Sequence, residues 1–232
     1  MGLQIAQDLI GAGARVAMLD IKPKPEGISI NQHTAYFETD ISDPTAVNDV
    51  ISQVHSQFGR IDMLANVAGV LWFGKDMSAL NIDLDVWDRV MNINLKGYVH
   101  LTRAVVPVMK QQGGGAMVHF STTQCLRGDS APQDAYQAAK AGVMAYSKSL
   151  AIQLAGDGIR SNVVVPGPCE SPMQDRWKSN PEGKEATARV IPLGRVGQVT
   201  DMANACLFLL SDNASFITGT ELLVDGGLLA RP

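Results

Sequence analysis

Strand-length apolar runs alternate with helix-length amphipathic segments along this chain, and that alternation constrains its fold more than any other feature. Such a pattern is met by a parallel sheet wound with helices on both faces. Leu3, Ala6, Leu9 and Ile10 form a helical stripe that stops at Gly11 to Gly13. Arg15 to Leu19 then reads as a strand ending on Asp20, and a second strand near Thr34 to Thr39 ends on Asp40. Asp43-Pro44 carries a helix start, with Asp43 as N-cap and Pro44 at the first helical position. That helix turns Val47, Val50, Ile51, Val54 and Phe58 inward and stops at Gly59. Strands follow at Ile61 to Leu64, Met117 to Phe120, Asn162 to Val165 and Glu221 to Val224. Between them the spacing predicts helices over Asp83 to Lys110, Asp134 to Ala155 and Val199 to Leu210. The segment 172–192 is polar, charged and irregular, a candidate for a mobile substrate lid. With 232 residues and no defensible boundary, 1–232 reads as one domain.

Charge and cysteine usage narrow the partners. A net charge of −4 without any basic run argues against nucleic acid or an anionic membrane surface. No apolar stretch is long enough to span a bilayer. Cys125, Cys169 and Cys206 are widely spaced and odd in number, as suits a reducing cytoplasm. The histidines are scattered, so no metal site is expected.

The chemistry concentrates at strand ends, where ligands bind in open α/β sheets. Tyr136 and Lys140 are four apart at a helix start and share a face. A tyrosine titrates near 10, and a neighbouring ammonium favours its phenolate; lowering that pKa by about three units takes roughly 4 kcal/mol. The same spacing also describes a plain amphipathic surface pair. Small residues flank this one, in Ala135-Tyr136-Gln137-Ala138-Ala139-Lys140-Ala141-Gly142, as a closely packed or ligand-facing helix requires. Ser121-Thr122-Thr123 presents hydroxyls after a strand, either to orient a substrate carbonyl or simply to form a turn. Asp20 is placed either to accept from an adenosine ribose, repelling a 2′-phosphate, or to cap a turn. Asp40 is similar. Asn66-Val67-Ala68-Gly69 closes a strand with small residues, and Asn94 marks either a functional kink or an exposed helix position.

Taken together these segments resemble the short-chain dehydrogenase/reductase family, over almost the whole chain. Asn66-Val67-Ala68-Gly69 is similar to the family's Asn-Asn-Ala-Gly, and Asn92-Ile93-Asn94-Leu95-Lys96-Gly97 to the segment holding its helix asparagine. Pro166-Gly167-Pro168-Cys169-Glu170-Ser171-Pro172-Met173 resembles the motif beside the nicotinamide. Pro192-Leu193-Gly194-Arg195 and Val224-Asp225-Gly226-Gly227 resemble the C-terminal signatures. The resemblance implies a Rossmann-like fold and an NAD(H)-dependent oxidoreductase acting on a secondary alcohol or ketone. Tyr136 would be the general acid/base, Lys140 its tuner, Thr122 the substrate-orienting hydroxyl (with Ser121 and Thr123 as alternatives) and Asn94 the anchor of a water. NAD would be held by Gly2, Asp20, Ile21, Asp40, Ile41, Asn66, Ala68, Gly69, Pro166, Gly167, Cys169 and Ser171, together with Tyr136 and Lys140. Trp72, Gln124, Leu126, Arg127, Gln133 and Trp177 are candidates for the substrate pocket, Trp177 equally for packing. A homotetramer, or a homodimer, is also implied.

Met1 to Ala6 resembles only the tail of the family's opening strand and Thr-Gly-x-x-x-Gly-x-Gly turn, with Gly2 as its last glycine. The expectation is a sheet whose first, central strand is absent, in a chain whose start was mis-assigned or trimmed. A chain that truly begins at Met1 is expected to bind dinucleotide weakly or not at all. A non-catalytic or cofactor-deficient binding or assembly protein of the same fold is the competing expectation.

Overall fold

The computed structural model describes residues 1–129 and 131–231. Among the described residues, six strands form two wholly parallel sheets. β1 (Val16–Asp20) pairs with β2 (Thr34–Glu38), and β3 (Met63–Asn66), β4 (Gly115–Phe120), β5 (Ile159–Pro166) and β6 (Glu221–Val224) pair in that order. No described ladder joins the two sheets, so β1 and β3 each end a sheet. This agrees with the expected interruption in the middle of the sheet.

Side chains of β4 divide the core. Met117 points into a cluster with Val47, Val50 and Ile51 of α2 (Pro44–Phe58), and with Tyr98, Leu101, Val105 and Met109 of α4 (Gly97–Gln111). Val143, Leu150 and Leu154 of α5 (Asp134–Leu154) complete it. Ala116, Val118 and Phe120 point the other way, onto Ile5 of α1 (Gly2–Gly11) and onto Met202, Ala203, Cys206 and Leu209 of α8 (Val199–Leu210). Period-two alternation on a strand buried on both faces makes this a doubly wound α/β sheet.

Local signals act where the sequence put them. Asp43 accepts from the amides of Thr45 and Ala46 ahead of Pro44, a cap that contributes about 1 kcal/mol. Gly59 ends α2 at φ 74°, a left-handed turn that a side chain would strain. β3 begins two residues later than expected. The amide and carbonyl of Ile61 are taken by the Gln112 side chain, at 3.2 and 2.6 Å, and the ladder starts at Met63.

One expectation needs correction, and one open alternative is decided. The region 172–192 is not irregular: it holds a 3-10 turn (Pro172–Gln174), α6 (Arg176–Ser179) and α7 (Pro181–Val190). Asn94 is not an exposed helix position. It is fully buried in a π-helical turn, Asn92–Lys96, between α3 (Leu84–Met91) and α4. Such a widened turn interrupts the regular ladder of the helix.

Candidate active site at the carboxyl edge of the sheet

Beyond Phe120 at the end of β4, the three hydroxyls take different parts. Ser121 Oγ donates to the Lys140 carbonyl at 2.8 Å, which holds α5 to the strand. Thr123 is buried within the 3-10 turn Thr123–Leu126. Thr122 accepts from the Gln124 amide at 3.3 Å and stands beside the Tyr136 phenol, whose ionisation it favours. Of the three candidates, Thr122 is the one brought to Tyr136.

Tyr136 lies in the first turn of α5. Burial raises its pKa above the usual tyrosine value, with the Cys125 sulfur adding to the rise and Thr122 offsetting part of it. The start of this helix is capped from elsewhere in the chain. Asp76 is buried, and its two oxygens accept from the amides of Ala135 at 3.1 Å and Tyr136 at 2.9 Å. Asp134 answers by accepting from the Ala79 amide at 2.7 Å. The sequence does not reveal Asp76, because its partners are 59 and 60 residues away.

Lys140 departs from its expected posture. Its ammonium donates to Phe120 O and to Tyr98 Oη, each at 3.0 Å, and no hydrogen bond joins it to Tyr136. Burial pushes its pKa down to about 7. The anticipated direct pull of a full ammonium charge on the phenol is therefore not the arrangement found. Tyr98 escapes a search by motif; its only signal is its place four residues after Asn94, one turn along the same helix.

Asn94 spends its side chain on the segment after β3, accepting from the Val70 amide at 2.8 Å and donating to the Val70 carbonyl at 2.9 Å. Gly69 passes so close that a Cβ there would stand 2.6 Å from Asn94 Oδ1 and 3.4 Å from Lys140 Nζ. That approach explains a glycine, and it brings Asn94 and Lys140 to one point. Asn66 lies deeper. It is buried and donates to His119 Nδ1 at 3.0 Å, while its own Oδ1 has no partner among the described residues. His119 Nε2 lies 3.2 Å from Ser161 Oγ, which lies 2.8 Å from Ser147 Oγ, so a buried polar chain runs behind the site.

The remaining expected cofactor residues divide between edge and core. Asp20 is exposed at the end of β1, with Oδ1 accepting from the Lys22 amide at 3.0 Å, and Ile21 beside it is exposed. Asp40 accepts from the amide and hydroxyl of Ser42. Ile41 is buried in the α2–α4 core, which explains its apolar character without a ligand. Ala68 is exposed and gives its carbonyl to the Tyr98 hydroxyl at 2.9 Å. After Pro166, Gly167 packs against Asp225, where a Cβ would fall 2.8 Å from Asp225 Cα. The Cys169 segment is locked to Gly197, with Gly197 donating to Pro168 at 2.8 Å and Glu170 donating to Gly197 at 2.8 Å. Cys169 itself is buried, and that burial pushes its thiol up to about 11. Ser171 is half-buried at the next turn. Gly2 opens α1 beside Val67, and no side chain caps that helix.

Asp20 suits the ribose of a dinucleotide: a strand-end carboxylate with one oxygen uncommitted among the described residues. Of the pocket candidates, Trp177 packs with Ile191, Val196 and Leu228, whereas Trp72 borders the Tyr136 cluster with the Arg89 guanidinium 5.4 Å from its ring. Gln124 donates to Gln133 at 3.0 Å. Leu126 and Arg127 are exposed. Among the described residues no group of three or more His, Cys, Asp or Glu could hold a metal, and no helix is long and apolar enough to cross a membrane.

Residues 1–229 match the family model described as Enoyl-(Acyl carrier protein) reductase. The chain is 38% identical over 193 residues to the 3-oxoacyl-[acyl-carrier-protein] reductase of Thermotoga maritima, covering 83% of this chain and 76% of that protein. It superposes on the ligand-free aldohexose dehydrogenase of Thermoplasma acidophilum with a TM-score of 0.90 at 28% identity, covering 100% of this chain and 90% of that one. It is also similar to a gluconate 5-dehydrogenase of Burkholderia cenocepacia in complex with NADP and tartrate, with a TM-score of 0.88 at 26% identity, covering 99% and 91%.

Proposed function

The chain belongs to the short-chain dehydrogenase/reductase family, and from that premise we propose that it interconverts a secondary alcohol and a ketone with NAD(H), using Tyr136 as general acid/base. One observation carries this reading: Thr122 beside Tyr136, with Lys140 and Asn94 meeting at Gly69, in a single buried cluster at the carboxyl edge. When bound, the nicotinamide supplies or takes up the hydride. The protein's part is the proton. A phenol whose pKa burial has raised is neutral at neutral pH, and so is in the form that donates to a ketone oxygen. The Thr122 hydroxyl orients that oxygen, and Lys140 provides positive charge near the ribose. Asn94 contributes through the backbone of the π turn, since its side chain is spent on Val70.

Asp20 is the support for NAD, because its carboxylate would accept from a ribose diol and repel a 2′-phosphate. Gly2 and the first amides of α1 suit the pyrophosphate, Ala68 and Gly69 the middle of the cofactor, and the Cys169 backbone with Ser171 the carboxamide. The NADP complex of the gluconate 5-dehydrogenase favours the second reading, NADP in place of NAD. We further infer a cytoplasmic protein that assembles as a homotetramer or homodimer. The support is its free cysteines and the exposed Phe208, Phe216 and Leu223 in and around the C-terminal helix and strand.

Thermal stabilisation by each dinucleotide tests the cofactor. At about one hundred times its Kd a ligand adds roughly 2.7 kcal/mol, which raises the Tm by about 5–10 °C. Preference for NADP sinks the Asp20 assignment. No shift with either dinucleotide favours the binding or assembly alternative. A ketone panel followed by NADH absorbance then tests the chemistry, with Tyr136→Phe expected to lose turnover while keeping cofactor binding.

A further inference from the structure

Tyr98 sits in the first turn of α4, facing α5 across the site, and is fully buried. A Phe or Leu would fill that volume with no polar cost, whereas a buried hydroxyl has to be hydrogen-bonded. Here it is bonded twice. Its O–H donates to the Ala68 carbonyl at 2.9 Å, which leaves the oxygen lone pairs to accept from Lys140 Nζ at 3.0 Å. The ammonium also lies 4.7 Å from the centre of the Tyr98 ring, so both the oxygen and the π face meet the same charge. The helix carrying Asn94 thereby reaches across to the helix carrying Tyr136 and Lys140.

We propose that Tyr98 is a positioning residue for Lys140, fixing the ammonium between its own hydroxyl and the Phe120 carbonyl so that the third N–H is left for a ligand. The proposal rests on the oxidoreductase reading above. An ammonium has three donors and no acceptor, and two of its donors are committed here. The bond to the hydroxyl also favours the charged form of Lys140 against the burial that pushes it down to about 7. The titratable groups around it are Tyr98 from α4, His119 from β4, Cys125 from the 3-10 turn and Tyr136 one turn earlier on α5.

The test is Tyr98→Phe, which removes the oxygen and keeps the ring. In protein without added cofactor, the lysine ε-carbon resonance that disappears in Lys140→Arg is titrated by NMR. Its midpoint is expected near 7 in the parent and about one unit lower in the variant. The high-pH limb of kcat for ketone reduction should shift down with it, so that kcat at pH 7 falls about fivefold and recovers in part at pH 6. An unchanged Lys140 midpoint overturns the proposal, since a purely structural tyrosine would lower the Tm and leave the titration alone. If the parent reduces no ketone, the functional reading fails, but the NMR midpoint still decides the role of Tyr98. If Tyr98→Phe does not fold, the parent decides: contact between the Lys140 ε-methylene and the Tyr98 ring protons is expected in nuclear Overhauser spectra, and its absence refutes the placement.

Discussion

His119 should make this protein's stability depend on pH between 5 and 8. The ring is completely buried behind the site, with Asn66 Nδ2 donating to Nδ1. That bond needs a neutral ring, with Nε2–H directed to Ser161. Burial, and secondarily the charge on Lys140, lower its pKa from 6.5 to about 3. A histidine depressed in the fold contributes stability that is fully present above its unfolded pKa and is lost as pH falls below it. The loss reaches about 5 kcal/mol once pH passes the folded value, and about 2 kcal/mol by pH 5. Lys140 is depressed to about 7 and adds a slope of the same sign over part of this window, so the parent curve alone does not isolate His119. His119→Gln does, because its amide cannot titrate while its –NH₂ still points toward Ser161. Denaturant unfolding at pH 8 and pH 5 should show the parent losing about 2 kcal/mol more than the variant, equivalent to roughly 4–8 °C in Tm. Parallel stability curves for the two proteins would refute the reasoning.

Three further outcomes are expected. Asp76→Ala strips two first-turn amides of α5 of their acceptor and should cost about 2 kcal/mol in denaturant unfolding, with turnover falling because Tyr136 sits in that turn. Gly69→Ala puts a Cβ 2.6 Å from Asn94 Oδ1; prying Asn94 from Val70 should lower turnover in the NADH assay at least tenfold, while unfolding shows a loss of roughly 1–3 kcal/mol. Asp43→Ala removes the side-chain cap of α2 and should lower stability by about 1 kcal/mol in denaturant unfolding.

Much of the fold was legible because its signals are local. The Asp43-Pro44 cap, the Gly59 stop and the two-sided apolar character of β4 each act within a few residues of where they are written. The helices of 172–192 were missed because α7 buries no residue, so it has no apolar stripe to read. Its one written sign was Asn180-Pro181, where the Asn180 side chain accepts from the Gly183 amide. Within the site, spacing left Tyr136, Lys140 and Asn94 open between a structural and a functional part, and it was the family's motifs that pointed to them. The motifs favoured Thr122 but kept Ser121 and Thr123 as alternatives, since the choice depends on which hydroxyl α5 already uses. Nor could the spacing of Tyr136 and Lys140 show that the ammonium turns toward Tyr98, a residue 42 positions away. Long-range polar contacts of this kind leave no periodicity in a sequence.

The segment from Gly69 to Asp76 is tied at one end to Asn94, through Val70, and at the other to α5, through the Asp76 side chain. It acts as a strap of fixed length between two helices. Surface connections ordinarily accept insertions and deletions, but one residue added between Val70 and Asp76 would have to be taken up at one anchor or the other. The result would be a displaced Asn94 or a displaced Tyr136. Length variation is therefore a luxury denied to this stretch, although it lies outside regular secondary structure.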